Sequence, residues 1–472
     1  MNISIIGAGI SGLSCAYHLD KLAKQSGKDI DINLFEKSNT PGGSISTLRD
    51  GGFIIEEGAD SFITSKPWAL DICREIGLGD KLISPNENNR RTFVYLDNTL
   101  NKLPEGFFLL APSNLDTFSK SSFFSEYEKE RILDEQSVPV REDVTDESID
   151  NFVFRRFGSE LLEKVAKPLI GGIYTGDTKM LSANAVLPEF VSMEKEYGSV
   201  IKGIQKKYTS SKISATESGA RYGLFLSLEN GISTLTDGLV DAMPDVNIHN
   251  NCELDSLSWR DGNWILKDIK GNEFISRGII LAVPPYVASK LISTVDTELS
   301  KELGKIEYAS SLVAIMAVKK EDLANVPKCF GIVVPPSEKM NILACSFTSR
   351  KFPGRSIDGY EIVRCFAGGV LNPEIINKSE SQISDLMLRE LNLILNADLK
   401  PKFIMIKKYF NAMPQYNLGY LDLIKKINNK VSDLKTFTVA GNAYGGVGIP
   451  DCIKSGQNAA EYIFANLTSN LN

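Results

Sequence analysis

Three glycines near the start of the chain have the spacing of a phosphate-binding turn. Gly7, Gly9 and Gly12 follow a short apolar stretch, residues 2–6, and precede a helical pattern of apolar residues that runs to about Leu22. In such a segment the first glycine allows the tight turn, the second lets a pyrophosphate approach, and the third lets helix and strand pack closely. The phosphates then meet free N–H groups at the helix N-terminus. The spacing predicts a dinucleotide site, with a plain turn without a ligand as the alternative.

An acidic residue closes the next apolar stretch. Residues 30–36 have the pattern of a buried strand that ends in Glu36. A carboxylate at this place accepts hydrogen bonds from an adenosine ribose and disfavours a 2′-phosphate, so the pattern argues against NADP. The structural alternative for Glu36 is a solvated strand end.

Two more glycine turns follow this acid. Gly42 and Gly43 form one, and Gly58 to Ser61 form another after a predicted strand at residues 53–57. Glycines let backbone lie against a ligand because no Cβ intervenes. Together with the first turn, they are the pattern of the large FAD oxidase fold, where they surround the ribityl chain and the isoalloxazine. Many such proteins carry Arg or Lys after the Gly-Gly pair, whereas this chain has Ser44.

A glycine-rich segment near the C-terminus points to the same ligand. A predicted strand at 436–440 leads into residues 441–453, and a helix is predicted from there to about Leu467. Pro450 suits the first turn of that helix. The positive end of the helix would then face the flavin edge on which negative charge develops during reduction.

The bulk composition is that of an ordinary globular protein with two or three domains. The chain has 472 residues, 43% of them hydrophobic, and a net charge of −7, which argues against a nucleic-acid binder. Its seven cysteines are scattered, which predicts reduced thiols and no metal site. The two histidines, His18 and His249, are expected to be structural. No signal peptide or membrane-spanning segment is expected.

The pattern along the chain predicts an α/β protein (α+β overall). A Rossmann-type FAD-binding domain is expected from residues 1–85, 216–300 and 435–472, and an interleaved, mainly antiparallel substrate domain from 86–112 and 301–434. Residues 113–215 are predicted to form a helical lobe with a glycine-laced loop at 169–177. The apolar stretch 107–112 is read as core, with a bilayer or substrate contact as the alternative.

Several segments resemble the oxygen-dependent protoporphyrinogen and coproporphyrinogen oxidases, within the monoamine-oxidase-like flavoprotein superfamily. The matching segments are Gly7–Gly12, Gly58–Phe62, Lys167–Asp177 and Gly445–Ile453. The first of these segments is shared by many flavoproteins, and the last two are more specific to porphyrinogen oxidases.

The resemblance implies non-covalent FAD and a set of contact residues. The implied flavin contacts are Gly7, Ala8, Gly9, Ile10, Ser11, Gly12, Glu36, Lys37, Gly42, Gly43, Ser44, Gly58, Ala59, Asp60, Ser61, Leu254, Val447, Gly448 and Ile449. For the substrate, the backbone at Gly172 is implied near the ring. Arg91 is implied at a propionate, with Arg90 open because the spacing differs by one residue. No residue is assigned as a general base.

The implied activity is the six-electron oxidation of a porphyrinogen in haem biosynthesis, with dioxygen as acceptor and hydrogen peroxide as product. Coproporphyrinogen III and protoporphyrinogen IX both remain open. The resemblance implies a cytoplasmic protein with a ferrochelatase-type downstream partner and peripheral contact at the inner face of the membrane. The alternatives are an amine oxidase of the same superfamily, which usually carries Gly-Glu where this chain has Gly441-Asn442, and a non-catalytic porphyrin carrier that retains FAD.

Overall fold

The computed structural model describes residues 1–143, 145–208, 218–219 and 225–469. The ends of the predicted helical lobe (209–215), parts of the predicted FAD-binding segments (216–217, 220–224) and residues 470–472 lie outside the described residues. The strands are β1 (Asn2–Ile6), β2 (Asp31–Phe35), β3 (Thr47–Asp50), β4 (Phe53–Glu56), β5 (Phe62–Ile63), β6 (Leu82–Ile83), β7 (Thr92–Leu96), β8 (Thr99–Lys102), β9 (Phe107–Phe108), β10 (Ala111–Pro112), β11 (Ser218–Gly219), β12 (Phe225–Leu228), β13 (Asn247–His249), β14 (Leu254–Arg260), β15 (Asn263–Asp268), β16 (Glu273–Ser276), β17 (Gly278–Leu281), β18 (Tyr308–Lys319), β19 (Gly331–Val333), β20 (Ile342–Phe347), β21 (Tyr360–Gly368), β22 (Phe403–Pro414) and β23 (Phe437–Val439).

Helices connect and cover these strands. The α-helices are α1 (Ile10–Ser26), α2 (Trp68–Glu75), α3 (Leu115–Ser119), α4 (Glu126–Leu133), α5 (Ile149–Phe157), α6 (Ser159–Leu161), α7 (Lys167–Tyr174), α8 (Ala183–Val186), α9 (Pro188–Tyr197), α10 (Val200–Tyr208), α11 (Thr234–Asp241), α12 (Pro285–Ile292), α13 (Thr297–Leu303), α14 (Thr348–Lys351), α15 (Glu380–Leu395), α16 (Tyr420–Asp433) and α17 (Ile449–Ser469). Single turns of 3₁₀-helix lie at 79–81, 87–89, 134–137, 321–323, 336–338 and 373–377, and a π-helical segment lies at Leu162–Ala166.

A five-stranded parallel sheet forms the first layer. Its strand order is β13-β2-β1-β17-β23, and every neighbouring pair is parallel. This confirms the predicted strands at the two ends of the chain. Helix α1 runs past its predicted end near Leu22 to Ser26, where Gly27 adopts the left-handed conformation that caps it.

The first and last helices pack closely against each other beside this sheet. A Cβ atom on Gly456 of α17 would lie 2.2 Å from the Ser11 carbonyl oxygen of α1, so only glycine allows this approach. The buried hydroxyl of Ser14 donates to the carbonyl oxygen of Ile453 at 2.9 Å. The contact therefore joins the two ends of the chain in one core.

A seven-stranded sheet forms the second layer, in the order β22-β18-β21-β20-β19-β7-β8. All its neighbouring pairs are antiparallel except β7 with β19. This confirms the mainly antiparallel sheet expected from the sequence. Helix α15 packs its buried stripe, which includes Ile383, Met387 and Leu391, against one face of the sheet. Part of the opposite face packs against β4, where Ile362 lies in one buried cluster with Ile55.

The predicted helical lobe is mainly helical over its described residues, but the loop predicted at 169–177 is wrong for residues 169–174. Residues Leu169 to Tyr174 continue the helix α7 instead of forming a loop. Pro168 stands in the first turn of α7, where its missing N–H is tolerated, and the buried side chains of Leu169 and Ile170 hold the helix in place. The apolar stretch 107–112 is core, since Phe107 and Phe108 are buried.

None of the helices in the described part of the chain is long and apolar enough to span a membrane.

Candidate functional site

The first glycine loop is shaped by the backbone around it. Gly7 has a φ of +98°, and a Cβ there would lie 2.5 Å from the carbonyl oxygen of Ala282. A Cβ on Gly12 would lie only 1.8 Å from the carbonyl oxygen of Gly7. Helix α1 begins after Gly9 without a side-chain cap and without an acidic residue in its first turn. Its first N–H groups are therefore available to an anionic ligand.

The Glu36 carboxylate lies directly beside this loop. The side chain is 8% exposed, and its two oxygens accept hydrogen bonds from the backbone N–H groups of Ala8 and Ser38, each at 2.9 Å. A carboxylate oxygen has further lone pairs, so these bonds leave room for ribose hydroxyls. Leu254 begins β14 nearby, since the N–H of Cys252 donates to the backbone oxygen of Glu36 at 2.9 Å.

The second glycine turn lies against the first. The N–H of Gly42 donates to the carbonyl oxygen of Ala8 at 2.8 Å, and a Cβ on Gly43 would lie 3.0 Å from the Cα of Gly9. A Cβ on Gly58 would in turn lie 2.1 Å from the Ser44 carbonyl oxygen. The three predicted glycine turns thus form one continuous strip of backbone. Within it the predicted contacts Lys37, Gly43, Ser44 and Ala59 are exposed and so accessible to a ligand.

The C-terminal glycine-rich segment is joined to the region of the glycine turns by α17, which packs against α1. Ile449 begins α17, and Gly456 is the point where this helix touches α1, about 10 Å further along the helix axis. Gly446 has a φ of +150°, and a Cβ there would lie 2.4 Å from the Asp451 carboxyl carbon. Lys66 pairs with Asp451 at 2.6 Å, a contact that sequence reasoning missed. The glycine cradle, the uncapped helix and the Glu36 carboxylate fit a dinucleotide.

A buried charge cluster supports the turn that begins at Gly58. Lys351 lies 2.9 Å and Arg364 3.5 Å from the carboxylate of Asp60, and Arg364 also donates to the carbonyl oxygen of Gly58. Burial by itself raises the pKa of Asp60, but the charges of Lys351 and Arg364 outweigh burial and hold this pKa below its ordinary value. Asp60 is therefore an anion at neutral pH, and neither basic partner had a local signal in the sequence.

Three tyrosines fix the loop before α17. Tyr416 donates to the Asn442 carbonyl oxygen, Tyr420 donates to the Ala443 carbonyl oxygen at 2.7 Å, and Tyr308 donates to the Asn442 side chain at 3.1 Å. Burial raises the pKa of each of the three hydroxyls, so they remain protonated donors. Residues 442 and 443 are thereby held by side chains from the start of β18, the loop after β22 and the start of α16.

The face of the seven-stranded sheet opposite α15 leads away from the Gly58 turn. Arg364, Phe366 and Gly368 alternate along β21 and so share this face. The hydroxyls of Ser346 on β20, which neighbours β21, and of Tyr409 on β22, two strands from β21, are buried without a hydrogen-bond partner among the described residues. Such groups are rare in folded proteins and are commonly satisfied by a ligand or water. This face therefore has the character of a binding surface.

A cavity of about 160 Å³ lies where this face meets the end of α7. Gly172, the predicted substrate contact, lines it together with Lys167, Thr175, Lys179 and Gly368. The π-helical segment just before α7 is a feature that often occurs at functional sites. The cavity therefore combines a glycine-bearing helix, a sheet face and two lysines.

The predicted propionate contact does not share this cavity. Arg91 is exposed before β7 and donates to the Asn88 carbonyl oxygen at 3.0 Å, while Arg90 pairs with Glu87 at 3.1 Å. Neither arginine is among the residues that line the cavity beside Gly172. The structure brings together the glycine turns, Glu36 and α17, and it leaves Arg91 apart from Gly172. The contacts of all these residues with a ligand stay predictions.

The sequence and the fold are similar to those of known flavin-containing oxidoreductases and porphyrinogen oxidases. Residues 10–464 match the family described as flavin containing amine oxidoreductase. The chain is 27% identical to the coproporphyrinogen III oxidase of Bacillus subtilis (strain 168), covering 98% of this chain and 99% of that protein. It is 26% identical to the chloroplastic/mitochondrial protoporphyrinogen oxidase 2 of Arabidopsis thaliana, covering 99% and 94%. Among solved structures, a proposed protoporphyrinogen oxidase from Exiguobacterium sp. 255-15 has a TM-score of 0.86 at 28% identity, with 99% of each chain covered.

Proposed function

The chain belongs to the flavin-containing amine oxidoreductase family, and we propose that within this family it oxidises a porphyrinogen to the porphyrin in haem biosynthesis. It is an FAD-dependent oxidoreductase. The proposed reaction removes six electrons in three two-electron steps, with dioxygen as the final acceptor and hydrogen peroxide as product. The full-length similarity to porphyrinogen oxidases of a bacterium and a plant supports this substrate class.

One structural observation carries the proposal. The binding face of the seven-stranded sheet extends from the Gly58 turn to the cavity at Gly172. The residues Arg364 and Gly368, four positions apart on β21, mark its two ends, which are about 14 Å apart at the rise of an extended strand. A flat ligand as large as a tetrapyrrole needs a face of this length between the flavin and the far wall.

These contacts indicate which roles the cofactor and the protein residues have in the proposed reaction. FAD, when bound, supplies the chemistry of two-electron transfer from the substrate. The glycine strip and Glu36 would hold its phosphates and ribose, and the turn from Gly58 to Ser61 would lie along its ring. The cluster around Asp60 keeps that turn rigid, and the half-buried ring of Phe366 excludes water from the face between the two ends. We propose that residues 1–85, 216–300 and 435–472 form the FAD-binding domain, that residues 86–112 and 301–434 form the substrate-binding domain, and that residues 113–215 form the helical lobe.

The location of the protein in the cell, its partner and its membrane contact form a further part of what we propose. We infer a cytoplasmic enzyme that passes its product to a ferrochelatase-type partner and contacts the inner face of the membrane. The exposed aromatic side chains of Tyr127 and Phe154, which are 78% and 58% exposed on the helical segment, support a surface of this kind. Co-sedimentation with anionic vesicles, compared between wild type and Phe154→Ser, tests the membrane contact.

Incubation of the purified yellow protein with coproporphyrinogen III or protoporphyrinogen IX in air tests the activity directly. We expect porphyrin fluorescence above the non-enzymatic rate, with hydrogen peroxide formed in step with it. Peroxide release from an amine panel, without porphyrin formation, would contradict the proposal and favour an amine oxidase. A flavin that dithionite reduces but neither porphyrinogen reduces would favour a carrier.

A further inference from the structure

The cavity at the end of α7 is lined by a hydroxyl and an ammonium group that are suited to bind an anion. We propose that Thr175 and Lys179 bind a carboxylate arm of the substrate there, and that they help set the affinity for the porphyrinogen. This inference rests on the proposed function. It differs from the propionate contact expected from the sequence, because Arg91 lies outside this cavity and Lys179 lies in its wall.

The backbone of Thr175 is held in an unusual conformation. It follows α7 with a φ of +48°, a conformation that β-branched residues rarely adopt. Its backbone oxygen accepts a hydrogen bond from the N–H of Val370 at 2.8 Å, and a Cβ on Gly369 would lie 2.3 Å from that oxygen. This tight contact fixes the residue against the end of β21. Strained residues that the surrounding structure holds in place occur preferentially at ligand sites.

The Thr175 hydroxyl is available to a ligand. The residue is 9% exposed and lines the cavity, yet its Oγ1 has no hydrogen-bond partner among the described residues. An unpaired buried hydroxyl costs about 1–3 kcal/mol. A carboxylate oxygen in the cavity would accept a hydrogen bond from this hydroxyl and remove that cost. A threonine, unlike a lysine, also fixes where the acceptor must lie.

Lys179 supplies a positive charge that the protein leaves unbalanced. Its side chain is exposed at the cavity, and within the described ranges its ammonium group makes no hydrogen bond or ion pair. The neighbouring Lys167 differs, because it pairs with Glu163 at 2.5 Å and lies 3.6 Å from Asp150. Of the two lysines in the wall, Lys179 is therefore the one that is free to bind an anion.

The acidic residue of the same loop has another role. Asp177 also lines the cavity, but its Oδ1 accepts a hydrogen bond from the backbone N–H of Lys179 at 2.9 Å. This bond shapes the turn that carries Lys179. The loop thus presents a hydroxyl donor and an ammonium group, which is the pair that recognises a carboxylate.

The size of the cavity selects what can enter it. A volume of about 160 Å³ is too small for a tetrapyrrole ring but sufficient for a short acidic side chain. The distance of about 14 Å along β21 from Arg364 to Gly368 places this end far from the Gly58 turn. A ring that lies over Phe366 would therefore extend a peripheral propionate, and not its reacting carbon, into the cavity.

Kinetic comparison of variants tests the inference. We expect Lys179→Met to raise KM for coproporphyrinogen III about tenfold, with a much smaller change in kcat, and Lys179→Arg to retain most of the affinity. Thr175→Val should raise KM by a few fold. Lys320→Met, which removes an exposed lysine directly after the end of β18, is the matched control and should leave KM unchanged. Unchanged KM values in both Lys179→Met and Thr175→Val would overturn the inference.

A direct binding measurement separates this inference from the proposed function. The Kd of coproporphyrin, measured by fluorescence titration of the FAD-loaded protein, does not require turnover. Weaker binding by Lys179→Met than by Lys320→Met supports the site even if wild type forms no porphyrin in air. Equal binding by both variants contradicts the site even if wild type is an active oxidase. Flavin content and urea unfolding of each variant show that the fold is intact.

Discussion

The Arg364 guanidinium lies 3.5 Å from the Asp60 carboxylate, and only 2% and 12% of the two side chains are exposed. Asp60 comes from the loop after β4, whereas Arg364 stands in the middle of β21 in the seven-stranded sheet. Lys351 adds a second positive charge at 2.9 Å. Ion pairs thus hold a turn that is expected at the flavin against the seven-stranded sheet, and removing one partner at a time tests this link.

Asp60→Asn should strongly destabilise the protein. The substitution leaves the charges of Arg364 and Lys351 buried without their counterion, a change that typically costs about 3–5 kcal/mol. We expect the urea midpoint to fall accordingly, and Lys351→Met in the same chain to recover part of the loss. The control is Asp255→Asn, whose pair with Lys290 is more than half exposed and is worth less than about 1 kcal/mol. Equal losses in the two single variants would contradict this account.

Glu36→Gln should weaken FAD binding while the fold persists. Both carboxylate oxygens accept backbone N–H groups, so the amide of glutamine must turn a donor toward the N–H of Ala8 or Ser38. We expect about a 10- to 100-fold rise in the Kd of FAD, measured by flavin fluorescence with the apoprotein, from the loss of a charged hydrogen bond worth about 1.5–3 kcal/mol. Glu298→Gln, at an exposed pair on α13, should leave this Kd unchanged. An unaltered Kd in Glu36→Gln would place the ribose elsewhere.

Gly12→Ala should abolish flavin retention. The added methyl group would lie 1.8 Å from the Gly7 carbonyl oxygen, so α1 must move away from β1. We expect a nearly colourless protein and a loss of stability of about 1–3 kcal/mol, the usual range for overpacking. Gly79→Ala is the control, because a Cβ there has its nearest neighbour at 3.8 Å. Full flavin absorbance in Gly12→Ala would be incompatible with the close contact described for this loop.

The two histidines should make stability fall in mildly acidic solution. Burial is the largest effect on both, and it lowers the pKa of His18 and of His249 below the ordinary value of 6.5. The unfolded chain therefore takes up protons near pH 6.5 that the folded protein resists. The stability contribution is complete above that pH and is lost as the pH falls toward the lower folded pKa. Urea unfolding at pH 7.5 and 5.5 should show this loss in wild type.

The double variant His18→Gln/His249→Gln isolates that effect. Glutamine retains hydrogen-bonding groups for the Ser14 carbonyl oxygen and the Asn33 side chain but does not titrate. We expect the difference in unfolding free energy between the two pH values to shrink in this variant. An undiminished difference would assign the pH dependence to other groups.

The parts of the fold that the sequence predicted correctly are local. Strands β1 and β2, the turns around Gly7 and Gly42 and the start of α17 each follow from a short run of residues whose spacing has a direct physical meaning. The misassigned loop shows the limit of such reasoning. Two adjacent glycines in α7 disfavour a helix by propensity, but the burial of Leu169 and Ile170 outweighs that preference.

The residues that sequence reasoning missed are supplied from distant parts of the chain. Lys351 and Arg364 reach Asp60 across about three hundred positions, so no local spacing could indicate the pair. Lys179 is an ordinary lysine in a loop until the fold places it beside Gly368. A single sequence gives the backbone geometry of the glycine turns more readily than the side chains that converge on them.

The contact between Ser11 and Gly456 has a consequence for how the protein is made. Strand β1 and helix α1 are translated long before α17, but the core around them closes only against that helix. All the residues up to α17 must therefore emerge from the ribosome before β1 and α1 gain this partner, and the half-made core exposes apolar surface in the meantime. A premature stop codon ahead of Gly456 would remove this contact and yield a chain unable to complete that core.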